Sequence, residues 1–347
     1  MQLEILWFFI VGIFLVGYFV LDGFDFGVGM SMPFVSKDDT DRRVVINTIG
    51  PVWDLNETWL IVAGAALFAA FPEWYATMFS GFYLALLVIL VALILRGVSF
   101  EYRHQGKGES WTKWFDRFIV GGSFVPPLLW GVAFANLLQG VPLEPLAGGG
   151  WIFTGTLLTL LNPYALLGGL VLMMLSFTHG AVFLSLKTSG KIRERSRALA
   201  QRVGAITIVL AAIFLGWTVL MQQGNPMIMW VVLMASLAAV SLIIAWVFNA
   251  RGAEGLAFTF NAATIAFALL TIFMGLFPNL MISSTDPAYS MSIAGAASSQ
   301  KTLELMTWVA VFTMPLVLAY QGWTYWVFKK RISRKSIPVD PAEAQTT

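Results

Sequence analysis

Long apolar stretches alternate with short polar ones along the whole chain. Nine of them approach the length of a membrane span: about 5–30, 55–71, 75–95, 117–138, 163–186, 203–221, 228–248, 256–277 and 303–328. A helix needs about 20 predominantly apolar residues to cross a hydrocarbon core about 30 Å thick. Helix is the expected form because lipid offers the backbone no hydrogen-bond partners. The pattern predicts an all-α integral membrane protein of about nine transmembrane helices arranged as bundles. The second segment is the shortest.

Composition agrees with the pattern. Of 347 residues, 58% are hydrophobic and 12% charged, where soluble domains carry about 25% charge. Too little polar surface remains for a soluble shell. A net charge of +2 offers no footprint for a nucleic-acid partner. The absence of cysteine excludes disulfides and thiolate metal sites. No Lys or Arg precedes Lys37, and the first apolar run is too long for the core of a secretion signal. The first segment therefore reads as a span.

Basic residues set the expected orientation. The stretches 34–54, 96–117 and 187–202, the loop at Arg251 and the tail from Lys329 hold every one of the 21 basic residues except Lys301. These segments fall on one side only if there are nine crossings. The expectation is an external N-terminus and a cytoplasmic C-terminus. The loops on the opposite side, 139–162 and 278–302, are rich in small residues and read as structured caps. Residues 1–335 form one transmembrane unit in this reading, and the polar 336–347 a disordered cytoplasmic tail.

Two polar clusters interrupt the apolar pattern, and ionisable groups inside membrane segments point to function. In the first, Asp22-Gly23-Phe24-Asp25-Phe26-Gly27-Val28-Gly29, the two acids are three apart and share a helix face. Two neighbouring carboxylates at low dielectric cannot both ionise cheaply, which suits a proton carrier. The glycines thin that wall for close helix approach. A structural alternative has these acids cap a helix or pair with Arg42 or Arg43. In the second, Pro51-Val52-Trp53-Asp54-Leu55-Asn56-Glu57-Thr58-Trp59, Asp54 suits a helix start and Glu57 could complete a capping box. Trp53 and Trp59 fit an interfacial belt. Capping does not explain so many polar groups at the edge of an apolar run.

His104 lies in a basic loop and His179 in an apolar segment. Lone histidines are more often packed than ligating, since metals need several clustered ligands. Pro126-Pro127 should kink the fourth helix, Asn162-Pro163 marks a helix edge, and Ser298-Ser299-Gln300 a helix start.

Taken in order, Leu21 to Gly29, Gly50 to Leu60, Ala65 to Pro72, Phe79 to Tyr83, Gly122 to Pro127, Gly131 to Phe134, Asn136 to Pro142, Phe277-Pro278, Ser283 to Thr285, Ala297 to Gln300 and Thr307 to Ala310 resemble subunit II of the cytochrome bd-type quinol oxidases. The resemblance spans nearly the whole chain. It implies a subunit of a respiratory terminal oxidase in the bacterial cell membrane that oxidises quinol and reduces dioxygen to water. It implies no haem in this chain, with the b- and d-type haems and the quinol site in a partner subunit I. A small single-helix accessory subunit, membrane lipids and a structural quinone or lipid are further expected companions. Carried residue by residue, Asp22, Asp25, Asp54 and Asn56 are proton-path candidates. Trp59 lies near a lateral dioxygen entrance, and Trp53 and Glu57 give structural support. Leu55 stands where the family usually has glycine, so a side chain there reshapes any hydrated path. A coupled transporter fits less well, because the acids gather on one side and no paired broken helices occur in matching halves. A pure scaffold differs only in whether Asp22 and Asp54 conduct.

Overall fold

The computed structural model describes residues 2–106 and 108–337. Thirteen helices account for most of them. The long ones are α1 (Leu3–Val35), α3 (Trp53–Ala70), α5 (Tyr83–Tyr102), α6 (Glu109–Gln139), α8 (Pro163–Lys187), α9 (Lys191–Met221), α10 (Ile228–Arg251), α11 (Glu254–Leu276) and α13 (Gln300–Val327). Short helices α2 (Asp39–Ile49), α4 (Pro72–Gly81), α7 (Leu157–Leu160) and α12 (Ile293–Ala296) connect them. Two small antiparallel pairs, β1 (Leu143–Pro145) with β2 (Trp151–Phe153) and β3 (Asn279–Met281) with β4 (Met291–Ser292), form caps in the loops that the sequence marks as structured.

Among the described residues, eight helices are long and apolar enough to cross a membrane. The remaining long one, α3, has 18 residues and a polar first turn. At about 1.5 Å per residue it is still about 27 Å long. Its contacts show that it runs from one end of the bundle to the other. Near its start Asn56 meets Tyr325 at the end of α13, and at its finish the Ala69 and Ala70 carbonyls accept bonds from Ser298, just before α13 begins. The nine-segment pattern thus corresponds to α1, α3, α5, α6, α8, α9, α10, α11 and α13.

Helix ends follow local chemistry. Asn162 caps α8 by accepting from the Ala165 amide, and Pro163 takes the first turn. Ser299 caps α13 through the Thr302 amide. Helix α3 is different: its N-cap is Val52, with no side-chain cap, so the capping-box reading of Asp54 and Glu57 does not describe it. Helix α6 continues through Pro126 and Pro127, both buried.

The core is built where glycines let backbones touch. A Cβ on Gly27 would lie 2.0 Å from the Ser176 carbonyl, and one on Gly180 would lie 2.1 Å from the Gly27 carbonyl carbon. Helices α1 and α8 therefore meet backbone to backbone, as small residues allow in membranes. Gly131 and Gly168 do the same for α6 and α8. At the basic end, residues 331–337 fold back on the bundle. Ile332 exchanges backbone bonds with Lys187 and Ser189, Arg334 pairs with Asp38 and Asp41, and Ile337 is buried. Of the segment expected as a tail, Ile337 is packed in this way and Ser336 is exposed; residues 338–347 lie outside the described residues.

Candidate functional site

Helices α1, α3, α5 and α13 bring a polar cluster together inside the apolar bundle, near its basic end. Asp22 and Asp25 on α1 are both fully buried. Asp22 does not pair with Arg42 or Arg43. Its partner is Arg96 on α5, whose Nη1 lies 3.1 Å from Asp22 Oδ1 with neither side chain exposed. Arg42 instead reaches Asp116 at 3.6 Å. Reading a span as ending near 95 places Arg96 in the following loop, but the helix begins at Tyr83 and continues to Tyr102. The guanidinium is also flanked by Phe26 and Phe100, at 4.5 and 5.4 Å from the ring centroids. Such faces offset part of the cost of burying a cation. Glu57 Oε2 on α3 lies 3.8 Å from the same Nη1.

Asp25 faces a second set of partners. Asn56 Nδ2 donates to Asp25 Oδ2 at 2.7 Å. The Asn56 carbonyl oxygen accepts from Gln321 Nε2 at 3.0 Å and from the Tyr325 hydroxyl at 2.7 Å, both on α13. The Trp59 indole N–H donates to Gln321 Oε1 at 3.2 Å. Asn56 is therefore the junction of a hydrogen-bonded line from α1 through α3 to α13. Several atoms in the cluster have no protein partner although buried: Asp22 Oδ2, Asp25 Oδ1, Tyr18 OH, and Arg96 Nε and Nη2.

The sequence-chosen residues thus divide. Asp22, Asp25, Asn56, Glu57 and Trp59 converge. Asp54 lies on the exposed side of α3, with no ion pair among the described residues. Trp53 packs on Phe100 at 5.1 Å, against the ring that flanks Arg96. Arg96, Gln321, Tyr325 and Tyr18 escaped sequence reading. Arg96 had a usable signal, since it is the one basic residue at 96–117 directly following an unbroken apolar run.

The two histidines stand apart. His104 is exposed. It sits beside Arg103; partial burial of its ring, then the charges of Arg103 and Arg43, hold it below the usual histidine range. His179 is buried, with Nε2 at 3.1 Å from the Val20 carbonyl and its ring stacked on Phe258 at 4.5 Å. Among the described residues, no group of three or more His, Asp or Glu is placed to hold a metal.

An apolar cavity of about 300 Å³ lies between α1, α3, α4, α5 and α6. Leu15, Leu60, Gly64 and Leu90 are among its walls, and so are Trp74 and Trp130, whose indole N–H groups have no protein partner.

Fold and site define a polytopic membrane protein with a buried acid–base cluster at one end of its bundle. The chain belongs to the cytochrome bd terminal oxidase subunit II family, whose family model matches residues 3–328. It is 37% identical to the cytochrome bd ubiquinol oxidase subunit 2 of Bacillus subtilis, over 96% of this chain and 98% of that one. It is 40% identical to the cytochrome bd-I ubiquinol oxidase subunit 2 of Escherichia coli K12, over 96% of each. A solved structure of the bd oxidase from Geobacillus thermodenitrificans shares the fold, with a TM-score of 0.76, 18% identity and coverage of 94% of this chain and 99% of that one. The chain is therefore subunit II of a respiratory quinol:oxygen oxidoreductase and a multi-pass protein of the bacterial inner membrane. A subunit I completes the complex.

Proposed function

We propose that this subunit carries protons from the cytoplasm towards the haem-bearing partner through the α1–α3–α5–α13 cluster. The basic end of the bundle is the cytoplasmic side in this reading, with the N-terminus outside, an orientation that the basic-residue distribution supports. The observation that carries the proposal is the pair of buried carboxylates. Asp22 and Asp25 each have one oxygen bonded within the protein and one without a protein partner. Buried polar atoms of that kind are normally satisfied by ordered water. With one guanidinium serving both Asp22 and Glu57, the cluster changes charge most readily by taking up or releasing a proton.

Arg96 holds Asp22 in place, and Asn56 orients Asp25. Asp54, on the open side of α3, extends the line to the surface, and Leu55 beside it narrows that stretch. Carboxylates facing lipid are costly, so the exposed Asp54 and part-exposed Glu57 favour a protein neighbour there. The outer face of α13, with Trp308, Phe312, Trp323 and Trp326 exposed, is the natural continuation of that contact with subunit I.

The haems and the quinol site belong to subunit I in this reading. The lone buried histidine supports it: its Nε2 engages the Val20 carbonyl, and Phe258 covers its ring. The apolar cavity between α1, α3, α4, α5 and α6 fits a structural quinone or lipid, with the free indole N–H groups of Trp74 and Trp130 offered to an acceptor. The same apolar side is a lateral route for dioxygen. A single-helix accessory subunit would add to the same complex.

The deciding test is Asp25→Asn in the intact complex. Oxygen consumption should fall while the b- and d-haem spectrum stays normal. Unchanged turnover with full haem content would remove Asp25 from the path. Expressed alone, the chain should bind no haem; a stoichiometric b-type spectrum would overturn the division of labour.

A further inference from the structure

A second cavity, of about 370 Å³, opens where α8 and α13 end and α11 begins. Its wall is aromatic. Phe183 and Phe258 lie 5.7 Å apart between ring centroids, Phe24 stacks on Phe183 at 4.1 Å behind them, and Phe328 forms the opposite side. Its rim is basic, with Lys187, Lys329 and Arg331. No carboxylate lines it among the described residues. The nearest acid contact is Glu254, which Arg331 reaches at 3.5 Å and which Arg193 already holds at 2.7 Å.

We propose that this cavity binds the headgroup of an anionic phospholipid. Three cations without a lining acid select a negative charge, and a phosphodiester is the acceptor such a rim fits. The aromatic wall distinguishes lipid from free anion. A phosphate ion would leave those rings uncovered, whereas a glycerol backbone and the first acyl carbons would cover them. The cavity also lies at the right depth. Apolar spans end here, and Phe328 on its wall is itself half-exposed, as an interfacial anchor is. The site is preformed, because Phe183 packs against both Phe24 and Phe258, and Lys187 is fixed by donating to the Phe328 and Lys330 carbonyls. Lys329 is the adaptable group: it is exposed and makes only a cation–π contact, 5.0 Å from the Trp326 ring. The proposal stands apart from the proton path, although Tyr325 lines the cavity and bonds Asn56 from its other end.

The test uses the whole oxidase, purified in mild detergent by a tag on this chain. Bound phospholipid is counted by native mass spectrometry after exchange against phosphatidylglycerol or phosphatidylcholine. Wild type should retain about one phosphatidylglycerol more than Lys329→Gln, and Lys329→Arg should restore it. Phosphatidylcholine should wash off both. Haem spectrum and turnover in Lys329→Gln should match wild type, which separates this outcome from failure of the proton path. Equal phosphatidylglycerol retention by wild type and Lys329→Gln would overturn the site. So would equally firm retention of phosphatidylcholine, a quinone found there instead, or displacement of the lipid by millimolar inorganic phosphate.

Discussion

Arg96 and Asp22, 74 positions apart in sequence, form an ion pair at 3.1 Å between α5 and α1 with both side chains sealed from solvent. Two charges removed from water gain little over an apolar pair of the same shape, but removing one partner strands the other. Arg96→Met should therefore cost about 3–5 kcal/mol and prevent stable assembly. Asp22→Asn, which leaves a neutral hydrogen-bond acceptor, should cost less. Thermal unfolding of the purified complexes compares them. If Arg96→Met is as stable as wild type, the pair is not a structural clamp.

Asn56 links three helices through one amide. Asn56→Leu should separate Asp25 from Gln321 and Tyr325 while filling the same space. Turnover is expected to drop several-fold with the haem spectrum retained. Gln321→Leu breaks only one arm and should have a smaller effect. Equal, full activity in both variants would show that the line is packing alone.

Asp54 lies on the open side of α3, so its replacement has no buried partner to strand. Asp54→Asn should leave assembly and haem content intact and slow oxygen consumption. Turnover equal to wild type would place Asp54 off the path and leave Asp22 and Asp25 as its carboxylates.

The backbone contact of α1 with α8 allows no side chain. Gly27→Ala would set a methyl 2.0 Å from the Ser176 carbonyl, a clash with backbone that no rotamer relieves. Very low yield of assembled complex is expected. Gly121→Ala, whose added carbon meets nothing within 4 Å, is the control and should assemble normally.

Asp38 anchors the returning C-terminal segment through Arg334 at 2.7 Å. Partial burial pushes the Asp38 carboxyl up, but the hydrogen bond from the Asp41 amide and the Arg334 guanidinium outweigh it and hold it below its usual value. A lowered carboxyl stabilises the fold above its ordinary pKa of about 3.9 and loses that contribution as pH falls through the lowered value. Protection of residues 331–337 from hydrogen exchange should thus hold at neutral pH and fade below about pH 4. Arg334→Gln should loosen the segment at neutral pH and flatten this pH dependence. The pair is half exposed, so the effect should be local and small.

How much was legible in the chain follows from what lipid demands of it. Each span satisfies its own backbone, so length and apolarity mark it without reference to any neighbour. Lys and Arg concentrate at one end for the same local reason. Asp22, Asp25, Asn56 and Trp59 stood out because polar groups beside glycines and within apolar runs are rare. Arg96 reads as the edge of a loop, because a charge closing an apolar run looks the same whether the helix stops there or continues to Tyr102. Gln321 and Tyr325 gave no signal, being single polar residues on an otherwise apolar helix. Their role exists only because α13 packs beside α3, which brings Gln321 to Asn56 across 265 positions. About nine membrane crossings, with acids near the basic end, are written into the order of residues along the chain. Which cation meets which acid is a matter of helix packing. A buried charge finds its partner on whichever helix the packing of small residues places beside it, and no local pattern encodes that neighbour.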